Sequence, residues 1–289
     1  IAERTSPTSM TAHQPEPVAA IIPIHKQTLS DEDYRSLRHN LTKLAGKPTI
    51  LIHPPTNRQL IRELLSVERH NEYSIHMSSL ELLASDFTSI TAYNRLMLST
   101  RFYRAFEKYR HILILQLDAL LLSNNLDAWC RRDWSYVGAP FFIGIDQPRQ
   151  PLQLLGGGNG GFSLRKVSDC LMVLRRWHWL YPALRRYERR SLPGEHLRAE
   201  GRALLRAHWW LSGKGSNTSI FEDLFWSFLA PQLEPGFQVA PAHVAIHFAW
   251  ETAPEHLSNL CGGELPLGCH AWQRHDPAFW NRVLTTLYQ

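Results

Sequence analysis

The stretch HILILQLD at residues 111–118 decides the fold class. Its first seven positions are almost continuously apolar, which is typical of a β-strand whose two faces are both covered. The runs VAAIIPI at 18–24 and TILI at 49–52 show the same pattern, and each precedes a segment with helical spacing. Strands that alternate with helices over short connections predict an α/β fold with a mostly parallel central sheet flanked by helices.

The remaining elements are predicted from caps and apolar spacing. Ser30 with the acidic residues behind it begins a helix that ends at Gly46. A longer helix is predicted over 91–109, and its core candidates are Tyr93, Leu96, Met97, Phe102 and Phe106. YVGAP at 136–140 and GFSL at 161–164 predict short strands, and 220–229 predicts a helix.

Composition excludes several classes of protein. The chain has 289 residues, of which 44% are hydrophobic and 20% charged, so a large core can form and overall disorder is excluded. No apolar run approaches the roughly 18 residues of a membrane helix. Four scattered cysteines indicate reduced thiols and a cytoplasmic protein rather than a disulfide scaffold. Residues 1–17 are expected to be a disordered lead-in, and 18–289 one domain.

The positive charge is concentrated in one segment. Residues 175–215 contain ten Lys or Arg and three Glu, which gives this segment a formal charge of +7. The rest of the chain carries −2, and the two parts add up to the net charge of +5. It also holds four of the ten tryptophans, as expected either for a helix at the inner face of an anionic membrane or for a basic helical insertion with buried aromatics. Nucleic acid is disfavoured because no basic patch or reader motif accompanies the segment.

Polar residues follow the strand at 111–117. Gln116 and Asp118 share one face by the period of two, and ligands bind at the carboxyl ends of strands in open α/β sheets. Asp118 is therefore a candidate ligand of a divalent ion that bridges phosphates. The alternative is that Asp118 only caps the next helix.

Three further motifs allow either a chemical or a structural role. GGGNGG at 156–161 permits close approach of a ligand to the backbone, or is a flexible turn. Glu222 and Asp223 begin a helix, where they stabilise its dipole or where one acts as a general base. His270 lies in a constrained loop near aromatic residues, where it is a metal ligand or a structural histidine.

Together these motifs resemble a known family. The matching stretches are IPIHK at 22–26, YNRLML at 93–98, LQLDA at 115–119, YVGAP at 136–140, GNGGFSLR at 158–165, EDLFW at 222–226 and GCHAW at 268–272. In this order they resemble the family known as domain of unknown function 5672, over roughly residues 18–280. That family looks like a branch of the nucleotide-sugar-dependent glycosyltransferases with the GT-A fold. The layout is more distantly similar to inverting β-1,3-glycosyltransferases of the Fringe and galactosyltransferase type.

The resemblance implies roles for individual residues. Asp118 corresponds to the last acid of a metal-binding DxD motif, with the neutral Gln116 in place of the first acid, and His270 corresponds to a C-terminal ligand of the metal. Donor-binding residues are implied at Pro23, His25, Lys26, Asn94, Arg95, Gln116 and Asp118. The implied acceptor-side residues are Asn159, Gly160, Gly161 and Trp272. Asp223 is the implied catalytic base, with Glu222 second.

The resemblance thus implies a metal-dependent, hexosyltransferase-type enzyme of polysaccharide biosynthesis. It would transfer a sugar with inversion from a UDP-linked donor to a hydroxyl of a saccharide or lipid-linked saccharide, with Mn²⁺ or Mg²⁺. Two alternatives are a non-catalytic nucleotide- or saccharide-binding module and a nucleotidyltransferase, which would release pyrophosphate.

Overall fold

The structure, a computed structural model, describes residues 16–44, 46–68, 76–145, 147–189 and 221–287. Its strands in chain order are β1 (Glu16–Pro23), β2 (Thr49–His53), β3 (Met77–Glu81), β4 (Tyr109–Leu115), β5 (Ala119–Leu121), β6 (Tyr136–Gly138), β7 (Phe141–Phe142), β8 (Leu154–Gly156), β9 (Phe162–Lys166), β10 (Ala249–Trp250) and β11 (Gly268–His270). Its α-helices are α1 (Asp31–Lys43), α2 (Arg58–Glu68), α3 (Ile90–Met97), α4 (Thr100–Arg104), α5 (Leu126–Arg131), α6 (Val167–Arg189), α7 (Glu222–Leu224), α8 (Ala230–Leu233), α9 (Ala242–Ala245), α10 (Pro254–Leu260) and α11 (Pro277–Leu287).

Strand β4 lies inside a six-stranded sheet of order β3-β2-β1-β4-β9-β6. β1 is parallel to β2 and β4, and β2 is parallel to β3. β9 runs antiparallel to both of its neighbours, β4 and β6. The sheet is therefore mostly parallel, as the apolar strand runs predict.

The central strands are buried on both faces. Ile112 and Ile114 of β4 point into a core cluster with α3, α4 and α6, whereas Leu113 and Leu115 point into a second cluster with α1 and α2. This alternation follows the period of two of a strand. Helices thus cover both faces of the sheet, which confirms the predicted α/β class.

Two smaller sheets extend the molecule beyond the carboxyl end of β4. One has the order β10-β11-β5, with β10 parallel and β5 antiparallel to β11. The other pairs β7 with β8. A third core cluster, which includes Trp250 and Trp280, packs the first of these sheets against α10 and α11.

Several sequence predictions need correction. The helix expected over 91–109 is two helices, because Ser99 accepts a hydrogen bond from the backbone N–H of Phe102 and begins α4. Strand β1 begins at Glu16, inside the expected lead-in, because Glu16 pairs with Tyr109 of β4. The helix expected over 220–229 is α7 followed by a π-helix at Phe225–Leu229.

Only part of the basic segment 175–215 lies in the described residues. Helix α6 extends through it to Arg189, and Trp177 is buried, as the core reading of the aromatics expects. Trp179 is 79% exposed. The other residues of the segment, from 190 onward, lie outside the described residues, as do residues 1–15 of the expected lead-in. No helix in the described ranges combines the length and the apolar character needed to cross a membrane.

Candidate active site

The predicted polar residues lie at the point where the strand order of the sheet reverses. From β1 the chain adds β2 and β3 on one side of the sheet, and it returns to place β4 on the other side. The carboxyl ends of β1 and β4 therefore form a topological switch point, where ligands bind in open α/β sheets. His25 and Lys26 follow β1 there, and Gln116 and Asp118 follow β4.

His270 is placed beside Asp118 by strand pairing. β11 is antiparallel to β5, and His270 lies opposite Ala119, the residue after Asp118. Nε2 of His270 is 3.3 Å from Oδ1 of Asp118 and 3.2 Å from Oε1 of Gln116. The structure thus brings His270 to Gln116 and Asp118, although His270 lies 154 residues after Gln116 in the chain.

Glu251 is a site residue that the sequence did not indicate. It follows β10, which is parallel to β11, and its Oε1 lies 3.1 Å from Nδ1 of His270. Burial alone would lower the pKa of His270, but hydrogen bonds to Asp118 and Glu251 raise that pKa to about 10. The His270 ring is therefore held between two carboxylates. A single Glu after a two-residue strand gives no sequence signal of this arrangement.

The donor atoms at this end of the site suit a hard divalent cation. Asp118 offers a carboxylate and Gln116 an amide oxygen, which are ligand types that Mg²⁺ and Mn²⁺ prefer. His270 would add an imidazole nitrogen only after it loses the proton that Asp118 and Glu251 favour. Across the described residues, no three His, Cys, Asp or Glu side chains form a metal-binding group. An ion held here would therefore draw further ligands from water and from substrate oxygens.

The glycine-rich loop packs directly against these side chains. A Cβ on Gly161 would collide with the ring of His270, and a Cβ on Gly160 would collide with the carboxylate of Glu222. The carbonyl of Gly161 also accepts a hydrogen bond from the N–H of Gln116 at 3.0 Å. Close approach between this loop and the site explains both glycines, so the loop is not only a turn.

Glu222 forms a buried ion pair with Arg165 of β9. Nη1 of Arg165 is 2.8 Å from Oε2, and Nη2 is 2.9 Å from Oε1. The N–H of Glu222 donates to Oδ1 of Asn94 on α3 at 2.9 Å. Asn94, predicted to face the donor, is 5% exposed and uses this oxygen to hold α7. The role implied for Asn94 in donor binding stays a prediction.

Asp223 differs from Glu222 in its surroundings. It is partly exposed, and its Oδ1 accepts from the N–H of Leu224 at 2.8 Å. Burial, reinforced by the charges of Glu222 and Glu251, raises the pKa of Asp223 from 3.8 to about 7. A carboxylate with a pKa near neutrality is suited to take up a proton during a reaction.

The other predicted donor-binding residues differ in their exposure to solvent. Pro23 is buried in β1, while His25, Lys26 and Arg95 are exposed. Lys26 also binds both carboxylate oxygens of Asp33 at 2.8 Å. The roles implied for these residues in donor binding stay predictions.

The acceptor-side candidates are partly tied into the protein. Asn159 is half-buried, and its Oδ1 accepts from the N–H of Gly161 at 2.7 Å. Trp272 is half-buried and packs against the third core cluster. Their predicted contacts with sugars remain predictions.

A family model described as protein of unknown function (DUF5672) matches residues 76–270, more than half of the chain. The chain belongs to this family. The DUF5672 match contains Gln116, Asp118, Arg165, Asp223 and His270, and it begins after β1 and β2. The resemblance found in the sequence motifs is thereby confirmed.

Solved structures similar to this DUF5672 chain share low sequence identity with it. The apo form of mouse xyloside xylosyltransferase 1 is 12% identical, with a TM-score of 0.44, over 88% of this chain and 96% of that chain. The apo form of the glycosyltransferase GlyE from Streptococcus pneumoniae TIGR4 is 8% identical, with a TM-score of 0.42, over 89% of this chain and 54% of that chain.

A third similar structure belongs to another enzyme class. The 4-diphosphocytidyl-2C-methyl-D-erythritol synthase from Anaerococcus prevotii DSM 20548 is 9% identical, with a TM-score of 0.37, over 57% of this chain and 76% of that chain. No curated protein sequence matches the chain.

Proposed function

We propose that this protein is a glycosyltransferase that moves a sugar from a nucleotide-sugar donor to a hydroxyl of a saccharide or lipid-linked saccharide. The nucleotide of the proposed donor is UDP. The observation that carries the proposal is geometric: the glycine-rich loop contacts His270, which lies beside Asp118, and also contacts Glu222, the residue before Asp223. Asp223 supplies a base, and Asp118 with His270 supplies a place for the diphosphate and its cation.

In the proposed reaction Asp223 acts as the general base. Its carboxylate takes the proton of the acceptor hydroxyl while the acceptor oxygen bonds to the anomeric carbon. The bond between that carbon and the phosphate oxygen breaks, and the nucleoside diphosphate leaves with the electron pair. Attack from the face opposite the leaving group inverts the anomeric centre.

Asp118 and His270 would hold a divalent ion, with Gln116 as a neutral third ligand. Bound there, Mn²⁺ or Mg²⁺ would neutralise charge on the leaving diphosphate. Gly160 and Gly161 have no side chains, so Glu222 and His270 can pack directly against the backbone of the loop.

The proposal is tested by the release of UDP from a panel of UDP-sugars, with and without Mn²⁺ and with saccharide acceptors. We expect release that depends on the acceptor and falls about 10²- to 10⁴-fold in Asp223→Asn, because the base is lost. Donor binding, measured as a shift in melting temperature, should persist in this variant. Near-normal turnover in Asp223→Asn would refute the assignment of the base.

Product analysis separates the two alternative functions. Gln116 in the position of an acid favours the non-catalytic binding module, because a neutral amide holds a cation less strongly than a carboxylate does. A binding module would show a donor-induced shift in melting temperature without any release of UDP. A nucleotidyltransferase would form pyrophosphate from a nucleoside triphosphate and release no nucleoside diphosphate.

A further inference from the structure

Arg165 and Glu222 form a buried ion pair beside the proposed base. Arg165 has no exposed surface, and Glu222 is 5% exposed. The other hydrogen bonds of the guanidinium go from Nε to Oγ of Ser163 at 2.9 Å, from Nη1 to the hydroxyl of Tyr103 at 3.0 Å, and from Nη2 to the carbonyl of Gly160 at 3.2 Å. Arg165 is thus anchored on β9, on α4 and on the glycine-rich loop.

The pair fixes the first residue of α7. Arg165 holds the side chain of Glu222, and Asn94 accepts from its backbone N–H. Because Glu222 precedes Asp223 directly, these two contacts determine where the Asp223 carboxylate is presented. Glu222 is the first residue of a helical stretch that continues through the π-helix and α8 to Leu233. Because the first N–H groups of a helix have no partner within the helix, these outside contacts fix its beginning.

The charges around Asp223 come from several elements. Glu222 on α7 and Glu251 after β10 raise the pKa of Asp223, whereas Arg165 on β9 acts to lower it. Burial raises the pKa of the Tyr136 hydroxyl on β6, and the charge of Asp223 raises it further. Among the hydrogen bonds of the described residues, none joins Arg165 to Asp223. The guanidinium therefore pairs directly with Glu222 and not with Asp223.

We infer that Glu222 is a positioning residue: it is held by Arg165, and it places the Asp223 carboxylate next to its own negative charge. The inference deepens the proposed function and rests on it for the role of Asp223. It changes the role of Glu222 from second candidate base to partner of the base. A buried ion pair gives little net stability relative to apolar residues, so stability alone does not account for this pair.

The test is the variant Glu222→Gln, which keeps the side-chain shape but removes its charge. The titration midpoint of Asp223 is followed by ¹³C NMR of labelled aspartate carboxyls, with the resonance assigned by its loss in Asp223→Asn. We expect the midpoint to fall by about one pH unit, because a neighbouring negative charge is removed. The acid limb of the pH–rate profile for sugar transfer should move by the same amount.

Two further variants keep the test decisive. Glu234→Gln removes the same charge from a surface pair with Arg176 and should leave the midpoint unchanged. If Glu222→Gln fails to fold because Arg165 is left unpaired, the double variant Arg165→Met with Glu222→Gln removes both charges. Its midpoint should also fall, but less than in Glu222→Gln, because the loss of Arg165 acts in the opposite direction.

An unchanged midpoint in the folded variants would overturn the inference. Loss of turnover at every pH in Glu222→Gln, with an unchanged Asp223 midpoint, would instead make Glu222 the base. The NMR midpoint does not need sugar transfer. Failure of the proposed function, seen as no release of UDP by the wild-type protein, is therefore distinguishable from failure of this inference.

Discussion

At the scale of single residues, two adjacent carboxylates acquire different properties from their neighbours. Glu222 points to the buried guanidinium of Arg165, whereas burial raises the pKa of Asp223, which forms no ion pair within the described residues. The dipeptide alone cannot show which acid is paired, because Arg165 is 57 residues away in the chain. A buried Arg in a strand is an unusual residue, and only its partners explain it.

The raised pKa of Asp223 predicts a pH-dependent gain of stability in Asp223→Asn. In the unfolded chain the carboxyl ionises near 3.8, and in the folded protein near 7. Between these values the unfolded state loses its proton first, so ionisation destabilises the wild-type fold as pH rises. The variant lacks this penalty. Its free energy of unfolding relative to wild type should increase from about pH 5 to about pH 8. Urea titrations at both pH values measure it, and an equal difference at both would contradict the prediction.

Glu251 predicts a change in metal affinity. Its carboxylate contacts Nδ1 of His270, which leaves Nε2 to face Asp118 and Gln116. Carboxylate partners of this kind orient a ligating histidine, and their loss typically costs 10- to 100-fold in metal affinity. Mn²⁺ affinity in Glu251→Gln, measured by electron paramagnetic resonance, should fall at least about tenfold. Glu255→Gln, in an exposed pair with Arg282, is the control, and equal affinities in both variants would contradict this role.

At the scale of elements, predictability follows burial. β1, β2 and β4 could be predicted because both faces are covered and their sequences are continuously apolar. β3 (MSSLE) was missed because it is an edge strand with mostly exposed or half-exposed residues. The break between α3 and α4 was missed because Ser99 acts as an N-cap inside an unbroken apolar spacing.

The glycine-rich loop predicts a strong effect of adding one methyl group. In Gly161→Ala the new Cβ would collide with His270, and in Gly160→Ala with Glu222, so each variant must displace a site residue. We expect a lower melting temperature and a loss of UDP release in both. Gly236→Ala is the control, since the nearest atom to its Cβ is the Glu234 carboxylate oxygen at 3.7 Å. Full activity in Gly161→Ala would show that the loop does not fit tightly against His270.

At the scale of the whole molecule, the site joins segments from the entire described chain. The motif order indicated which residues belong together, and β11 brings His270 to Asp118 as the resemblance implies. Glu251 was not predictable, because its proximity depends on a short parallel pairing between β10 and β11. Neither strand exceeds three residues, and so short a segment carries no periodic signal.

The uneven distribution of charge along the chain predicts that the protein binds anionic membranes. The segment 175–215 carries +7 against −2 for the remaining chain, and Trp179 within it is 79% exposed. Basic residues with an exposed Trp favour contact with anionic lipid, and this attraction weakens as salt screens the charges. We therefore expect sedimentation with anionic vesicles at low salt, release at high salt, and weaker binding by Trp179→Ala. Leu83→Ala, a 59% exposed apolar residue outside the segment, should bind like wild type. If the wild-type protein stays in the supernatant at low salt, the arginines are a solvated face and the prediction of membrane contact is wrong.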